Sequence, residues 1–185
     1  KIHEYHFTSL SKIDLLNKIL SDKILLELRK SYNLKPNICY GIFVGQLISR
    51  KGLDILVSAV STISNKSMEF LIIGDGEQRI KLENLVDSLS LRSRIHFLGK
   101  KSKNEVLNYL RISDIFIAPS REDIWGLVVN EALSNGLALL VSNKVGSAYN
   151  LINQGKNGYL FENENVKQLS KLIDLISSGD FKSMK

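Results

Sequence analysis

A lone cysteine, Cys39, among 185 residues rules out an intramolecular disulfide and a metal centre built from cysteines. Histidine is nearly as scarce, and His3, His6 and His96 do not stand at metal-ligand spacing from one another or from the acids. With only 2 prolines and 12 glycines, long disordered stretches are not expected. No uninterrupted apolar run approaches the roughly 20 residues that span a bilayer. The opening segment "KIHEYHFTSL" has charge but no apolar signal core, and no initiator methionine. The expectation is a cytoplasmic setting and a piece of a longer chain. No Gly-x-Ser-x-Gly elbow occurs, so no hydrolase nucleophile is indicated.

What is present describes one ordinary globular domain. Hydrophobic residues make up 44% and charged residues 24%, enough for a core in a chain that is short for two domains. The net charge of +6 points to an anionic partner: nucleic acid, an anionic membrane surface or a phosphate-bearing small molecule. The lysines are scattered, and the aromatic signature of an RNA-binding sheet is missing, which disfavours nucleic acid.

Along the chain, residues 10–31 have helical spacing at Ile13, Leu16, Ile19, Leu20 and Ile24, with Lys12, Lys18, Lys23 and Arg29 between them. That segment reads either as a helix packed on the domain edge or as a basic amphipathic face for a membrane. Pro36 then imposes a turn on "YNLKPNI". From there, strand-like apolar runs alternate with amphipathic helices: "CYGIFVG", "FLIIG", "RIHFLG", "IFIAPS" and "ALLVSN", followed by a last extended piece, "GYLFE". Gly179 is a plausible stop for the closing helix. Continuous rather than alternating apolar runs, separated by helices, predict an α/β domain: a doubly wound, Rossmann-like parallel sheet with helices on both faces. In such sheets ligands sit outside the C-terminal strand ends, here "VGQLISRKG", "IIGDGEQR", "FLGKKSK", "APSREDIWG" and "VSNKVGS".

Three of these ends carry chemistry. In "FVGQLISRKGLD", Gly45 closes a strand, and Arg50 and Lys51 precede Gly52 at a helix start, an arrangement suited to a phosphate. In "IIGDGEQR", Gly74 and Gly76 match the start of a dinucleotide fingerprint, but Arg79 stands where the third small residue belongs, so the dehydrogenase reading fails. Asp75 is expected to cap the next helix. His96, with no acid partner nearby in sequence, reads as structural. In "SREDIWGLVVNEALSNG", Gly126 opens a helix whose first N–H groups, on Gly126, Leu127 and Val128, form an anion site, with Val129, Ala132 and Leu133 as its apolar face. Glu131, partly buried by its position in that helix, is suited to accept hydrogen bonds from sugar hydroxyls. Glu122 and Asp123 could equally serve only to favour the helix dipole.

These segments, with "FLIIGDGEQRIKLENL", "RIHFLGK" and "LINQGKNGYLF", occur in an order that resembles the C-terminal domain of the group-1, family-4 retaining glycosyltransferases of the GT-B fold. The resemblance covers roughly residues 38–176. It implies a nucleotide-sugar donor, retention at the anomeric carbon, a glycan or lipid-linked acceptor and no metal or other cofactor. It implies diphosphate binding by Lys51, with Gln46 in place of the family's Arg and Arg50 available to supply its charge. The family's acid pair, separated by seven residues, maps onto Asp123, at the donor sugar and with Asp in place of Glu, and Glu131, at the ribose; Glu122 becomes a bystander. Gly45, Ser120, Trp125, Gly126, Leu127 and Val128 would line the substrate cleft, and Leu98 and Gly99 would flank the base. Asp123 and Lys51 are the implied catalytic pair. The implied organisation is a linker or helical tail over residues 1–35, belonging to a missing N-terminal domain, and a nucleotide-sugar-binding domain over residues 36–185. Such a piece alone would not catalyse transfer. A non-catalytic sugar-nucleotide-binding module, a related epimerase or phosphorylase, and a membrane-surface module are the competing readings.

Overall fold

The computed structural model describes residues 22–178. The expected helix over residues 10–31 is present from Asp22 to Ser31 as α1, and its earlier part lies outside the described residues, as does Gly179. Six strands follow: β1 (Tyr40–Val44), β2 (Glu69–Ile73), β3 (Ile95–Gly99), β4 (Ile115–Ala118), β5 (Ala138–Ser142) and β6 (Gly158–Phe161). The helices between and after them are α2 (Leu53–Thr62), α3 (Arg79–Ser88), α4 (Lys103–Ile112), α5 (Leu127–Ser134), α6 (Ala148–Leu151) and α7 (Val166–Ser177). The piece expected only to be extended, "GYLFE", is a sixth strand, paired in parallel with β5 from Gly158 opposite Leu139 to Phe161 opposite Ser142.

The sheet has the order β3-β2-β1-β4-β5-β6, with every pairing parallel. Both faces are covered, which is why the strands are largely continuous apolar runs, broken by Glu69, His96 and Ser142. Side chains one residue apart point to opposite faces. Ile115 and Ile117 join a core formed with α2, α3 and α7, while Phe116 and Ala118 join a second core formed with α4, α5 and α6. Burial is complete or nearly so at Ile42, Phe70, Phe116, Leu139 and Phe161. Each such side chain contributes about 1.5–3 kcal/mol of transfer free energy.

α1 is tied to this body by polar contacts. Arg29, part of the basic face that sequence spacing suggested for a membrane, points inward instead. Its guanidinium donates to the carbonyls of Ile112, Pro36 and Ile38, and pairs with Asp114 at 2.8 Å. It also lies 5.5 Å from the centre of the Tyr40 ring. Tyr32 packs edge-on against Tyr109 of α4, and its hydroxyl accepts from Asn108. Among the described residues no helix is long and apolar enough to cross a membrane.

Two local expectations are corrected. Asp75 does not cap α3: its carboxylate accepts the N–H of Gly76 at 2.8 Å, and the residue before the helix, Gln78, makes no side-chain cap. The residue that broke the dinucleotide fingerprint, Arg79, opens α3 and bonds Glu83 at 3.0 Å. His96 is not isolated from acids. Its Nε2 lies 2.8 Å from Oε2 of Glu69, whose other oxygen takes Lys35 Nζ at 2.8 Å. The partner comes from the neighbouring strand, which sequence proximity does not reveal.

Burial would push the Glu69 carboxyl up, but hydrogen bonds from Lys35 and His96 hold it below its ordinary value. A carboxyl depressed in the folded state adds stability above its unfolded pKa, and that stability is lost as pH falls through the folded value. The expected outcome is that Glu69→Gln is less stable than the parent at neutral pH, and that the gap narrows as the pH is lowered below about 4.5. Urea midpoints measured from pH 7 to pH 3 check this; a gap independent of pH would contradict it.

Candidate functional site

The strand order fixes where a site can form. From β1 the chain winds outward to β2 and β3, then returns across to β4 on the other side of β1. The loops leaving β1 and β4 therefore diverge, and a crevice opens between them at the C-terminal strand ends.

The first wall is the loop after β1. The N–H of Gly45 donates to Ile73 and that of Leu47 to Asp75, each at 3.0 Å, while the Leu47 side chain is fully buried. The loop then makes a single 3-10 turn, Ser49–Lys51, and ends at Gly52. Gly52 has φ +64°, and a Cβ there would lie 2.1 Å from the carbonyl oxygen of Pro119. Only glycine lets the two loops pass this closely while turning into α2.

The second wall is the loop from Pro119 to Gly126. It leans on the loop after β5 through a short parallel bridge, with the N–H of Asp123 donating to Lys144 at 3.0 Å and that of Gly146 to Asp123 at 2.9 Å. Gly126, at φ +74°, begins α5, and a Cβ there would meet Val145 at 2.7 Å. The N–H groups of Leu127 and Val128, first in the helix, have no carbonyl within it to bond.

Lys51 and Asp123, 72 residues apart in sequence, meet across the crevice: Nζ lies 2.5 Å from Oδ2. Both side chains are more than four-fifths buried, at 18% and 16% exposure. The other carboxylate oxygen of Asp123 accepts the N–H of Gly126 at 3.1 Å. One carboxylate thus joins a lysine to the positive end of α5. The N–H of Gly126, expected as a free anion donor, is engaged by this carboxylate.

The cleft above this pair is open to solvent, with a volume of about 630 Å³, within the usual range for small-molecule sites. It brings together Gly45, Gln46, Arg50, Lys51, Asp123, Trp125, Gly126, Leu127, Val128 and Glu131, all named from sequence. It leaves out three others. Leu98 packs against the second core, the carbonyl of Gly99 accepts the N–H of Gly74 at 2.9 Å, and Ser120 is buried at 3% exposure beneath the loop. In their place Lys101, from the loop after β3, and Lys103 and Val106, from the start of α4, form the third wall. The run "GKKSK" at that strand end was the available signal. Val44 and Ile124 also line the cleft, and Ile124 is 88% exposed at its rim. Glu122 is exposed at the surface; its backbone is what participates, with its carbonyl accepting from Arg50 at 3.2 Å.

Behind the pair sits Arg121. Its guanidinium holds Asp54 with two bonds of 2.9 and 2.7 Å, Glu164 with one of 2.7 Å and the carbonyl of Ser49 with one of 2.8 Å. Its hydrogen bond with Asp54 raises the guanidinium further above its already high pKa. Burial alone would push Asp54 up, yet Arg121 holds it below the ordinary carboxylate range, so this pair is ionised at neutral pH.

Residues 26–185 match the family model described as "Glycosyl transferases group 1". An uncharacterized glycosyltransferase of Methanocaldococcus jannaschii is 33% identical over 144 residues, which are 77% of this chain and 40% of that protein. Among solved structures, Anabaena HepE in complex with UDP superposes with a TM-score of 0.82 at 21% identity, covering 92% of this chain and 47% of HepE. The C-terminal domain of a group 1 glycosyltransferase from Francisella tularensis, LpcC, superposes with a TM-score of 0.76 at 22% identity, covering 90% of this chain and 91% of that domain. The chain spans less than half the length of the first two. Its six-stranded parallel sheet is the Rossmann-like half of a GT-B fold, and the chain belongs to the group 1 glycosyltransferases.

Proposed function

We propose that the β1/β4 cleft binds a nucleotide-diphosphate sugar. With an N-terminal domain in cis, the protein would transfer that sugar, with retention, to a glycan or lipid-linked acceptor in surface polysaccharide synthesis. The observation that carries this reading is the Lys51–Asp123–Gly126 junction: a buried cation and a helix N-terminus converge on one point, and what they hold there is an anion. Phosphate oxygens satisfy the same donors. UDP bound to HepE, whose fold this chain shares, supports a nucleoside diphosphate as the ligand class.

In this proposal Lys51 and the N–H groups of Leu127 and Val128 take the diphosphate. As the glycosidic bond breaks, the leaving group gains negative charge, and these donors stabilise it without a metal ion or other cofactor. Arg50, Lys101 and Lys103 add positive potential at the rim, where Gln46 offers only a neutral donor. Asp123 faces the sugar, Glu131 the ribose hydroxyls, and Trp125 the sugar cleft. The setting is cytoplasmic, at the inner membrane face for a lipid-linked acceptor.

Isothermal titration with UDP tests the site. Lys51→Ala should weaken binding about tenfold or more, the loss of one charge-assisted hydrogen bond. Glu131→Gln should weaken UDP but leave inorganic pyrophosphate unaffected. Unchanged UDP affinity in Lys51→Ala would sink the phosphate assignment. The 185-residue chain by itself should show no sugar transfer in a donor-hydrolysis and acceptor assay; robust turnover would refute the need for a second domain.

A further inference from the structure

We infer that Arg121 is a positioning residue that sets the geometry of the Lys51–Asp123 pair by stapling the loops after β1 and β4. This rests on the reading of the cleft as the nucleotide site. The staple has contacts on both sides. The Arg121 backbone N–H donates to the carbonyl of Arg50 at 2.8 Å, one residue before Lys51. Its guanidinium donates to the carbonyl of Ser49 and grips Asp54, which lies at the start of α2. Arg121 itself is two residues before Asp123. In return, Arg50 donates to the carbonyl of Glu122. The 3-10 turn that carries Lys51 is therefore held from the loop that carries Asp123, and the close passage at Gly52 leaves it no slack.

Arginine is suited to this task where lysine is not. The planar fork reaches two Asp54 oxygens, a backbone carbonyl and a second acid in one plane; an ammonium has no such geometry. The Arg121 side chain is 28% exposed and that of Asp54 43%, so the pair contributes through fixed direction more than through raw charge attraction. Glu164, 60% exposed, is the least constrained of the partners.

The test uses Arg121→Met, Arg121→Lys, Asp54→Asn and Glu164→Gln, with two readouts. The first is peptide-level hydrogen exchange of the ligand-free chain. Arg121→Met and Asp54→Asn should speed exchange across residues 45–52 and 119–126, while the β5 and α7 peptides stay protected. The second is UDP affinity. Arg121→Met should weaken it about tenfold through misplacement of Lys51, and Arg121→Lys should not restore it. In a Lys51→Ala background the Arg121→Met effect should vanish, which a merely structural role would not produce. Glu164→Gln should leave both readouts unchanged. Unaltered exchange in the two loops, full rescue by Arg121→Lys, or an Arg121→Met penalty that persists without Lys51 would each overturn the inference. If the parent chain binds no UDP, the nucleotide reading falls, and the exchange measurements still decide whether Arg121 holds the loops.

Discussion

The site depends on one topological constraint: β1 lies between β2 and β4, and the chain reverses its direction of travel across the sheet at that boundary. A strand buried on both faces has its open end only at its termini, so the loops after β1 and β4 are the places where polar groups can gather next to a well-packed core. The cores formed on the two faces, by α2, α3 and α7 on one and α4, α5 and α6 on the other, hold the strand ends so that the Lys51–Asp123 ion pair forms between residues far apart in sequence. The chemistry of the cleft is thus carried by loops, and its precision by the sheet beneath them.

Opposite charges on facing loops create a packing problem that glycine solves. The backbone of the turn after β1 passes within a hydrogen bond's reach of the loop after β4, and any side chain at Gly52 would occupy the Pro119 carbonyl. Once the backbones are this close, contacts such as those of Arg121 with Ser49 and Arg50 become available at little additional entropic cost, because the donors and acceptors are already ordered.

Much of this was legible in the sequence. The apolar runs gave the strands because both faces are buried, and the glycines and charges after them gave the cleft. Lys51, Asp123, Trp125 and Glu131, singled out by sequence, all lie on its wall. What could not be read were partnerships between loops. Nothing near Arg121 in the chain points to Asp54, 67 residues away, or to Glu164, 43 residues away. His96 has no acid near it in the sequence because its Glu69 comes from the adjacent strand. Leu98, Gly99 and Ser120 were assigned to the cleft from their place in a motif, but its wall is formed by other residues: Ser120 is buried, and Leu98 packs half-buried against the second core. Lys101 and Lys103 reach it from the loop after β3 and from the start of α4, because they lie beyond the strand end.

The carboxylate of Asp123 gives the cleft a property beyond its shape. Because it already satisfies Lys51 and the start of α5, that carboxylate stands to them as a resident counter-ion stands to an exchange resin. On the proposed reading, an entering anion competes with that resident for Lys51, so a singly bonded anion has little to gain there, and one with several oxygens is favoured. Asp123, displaced from Lys51 in that reading, would still be held by the N–H of Gly126. In that reading, arrival of the anion and release of the acid would be a single event, built into one side chain.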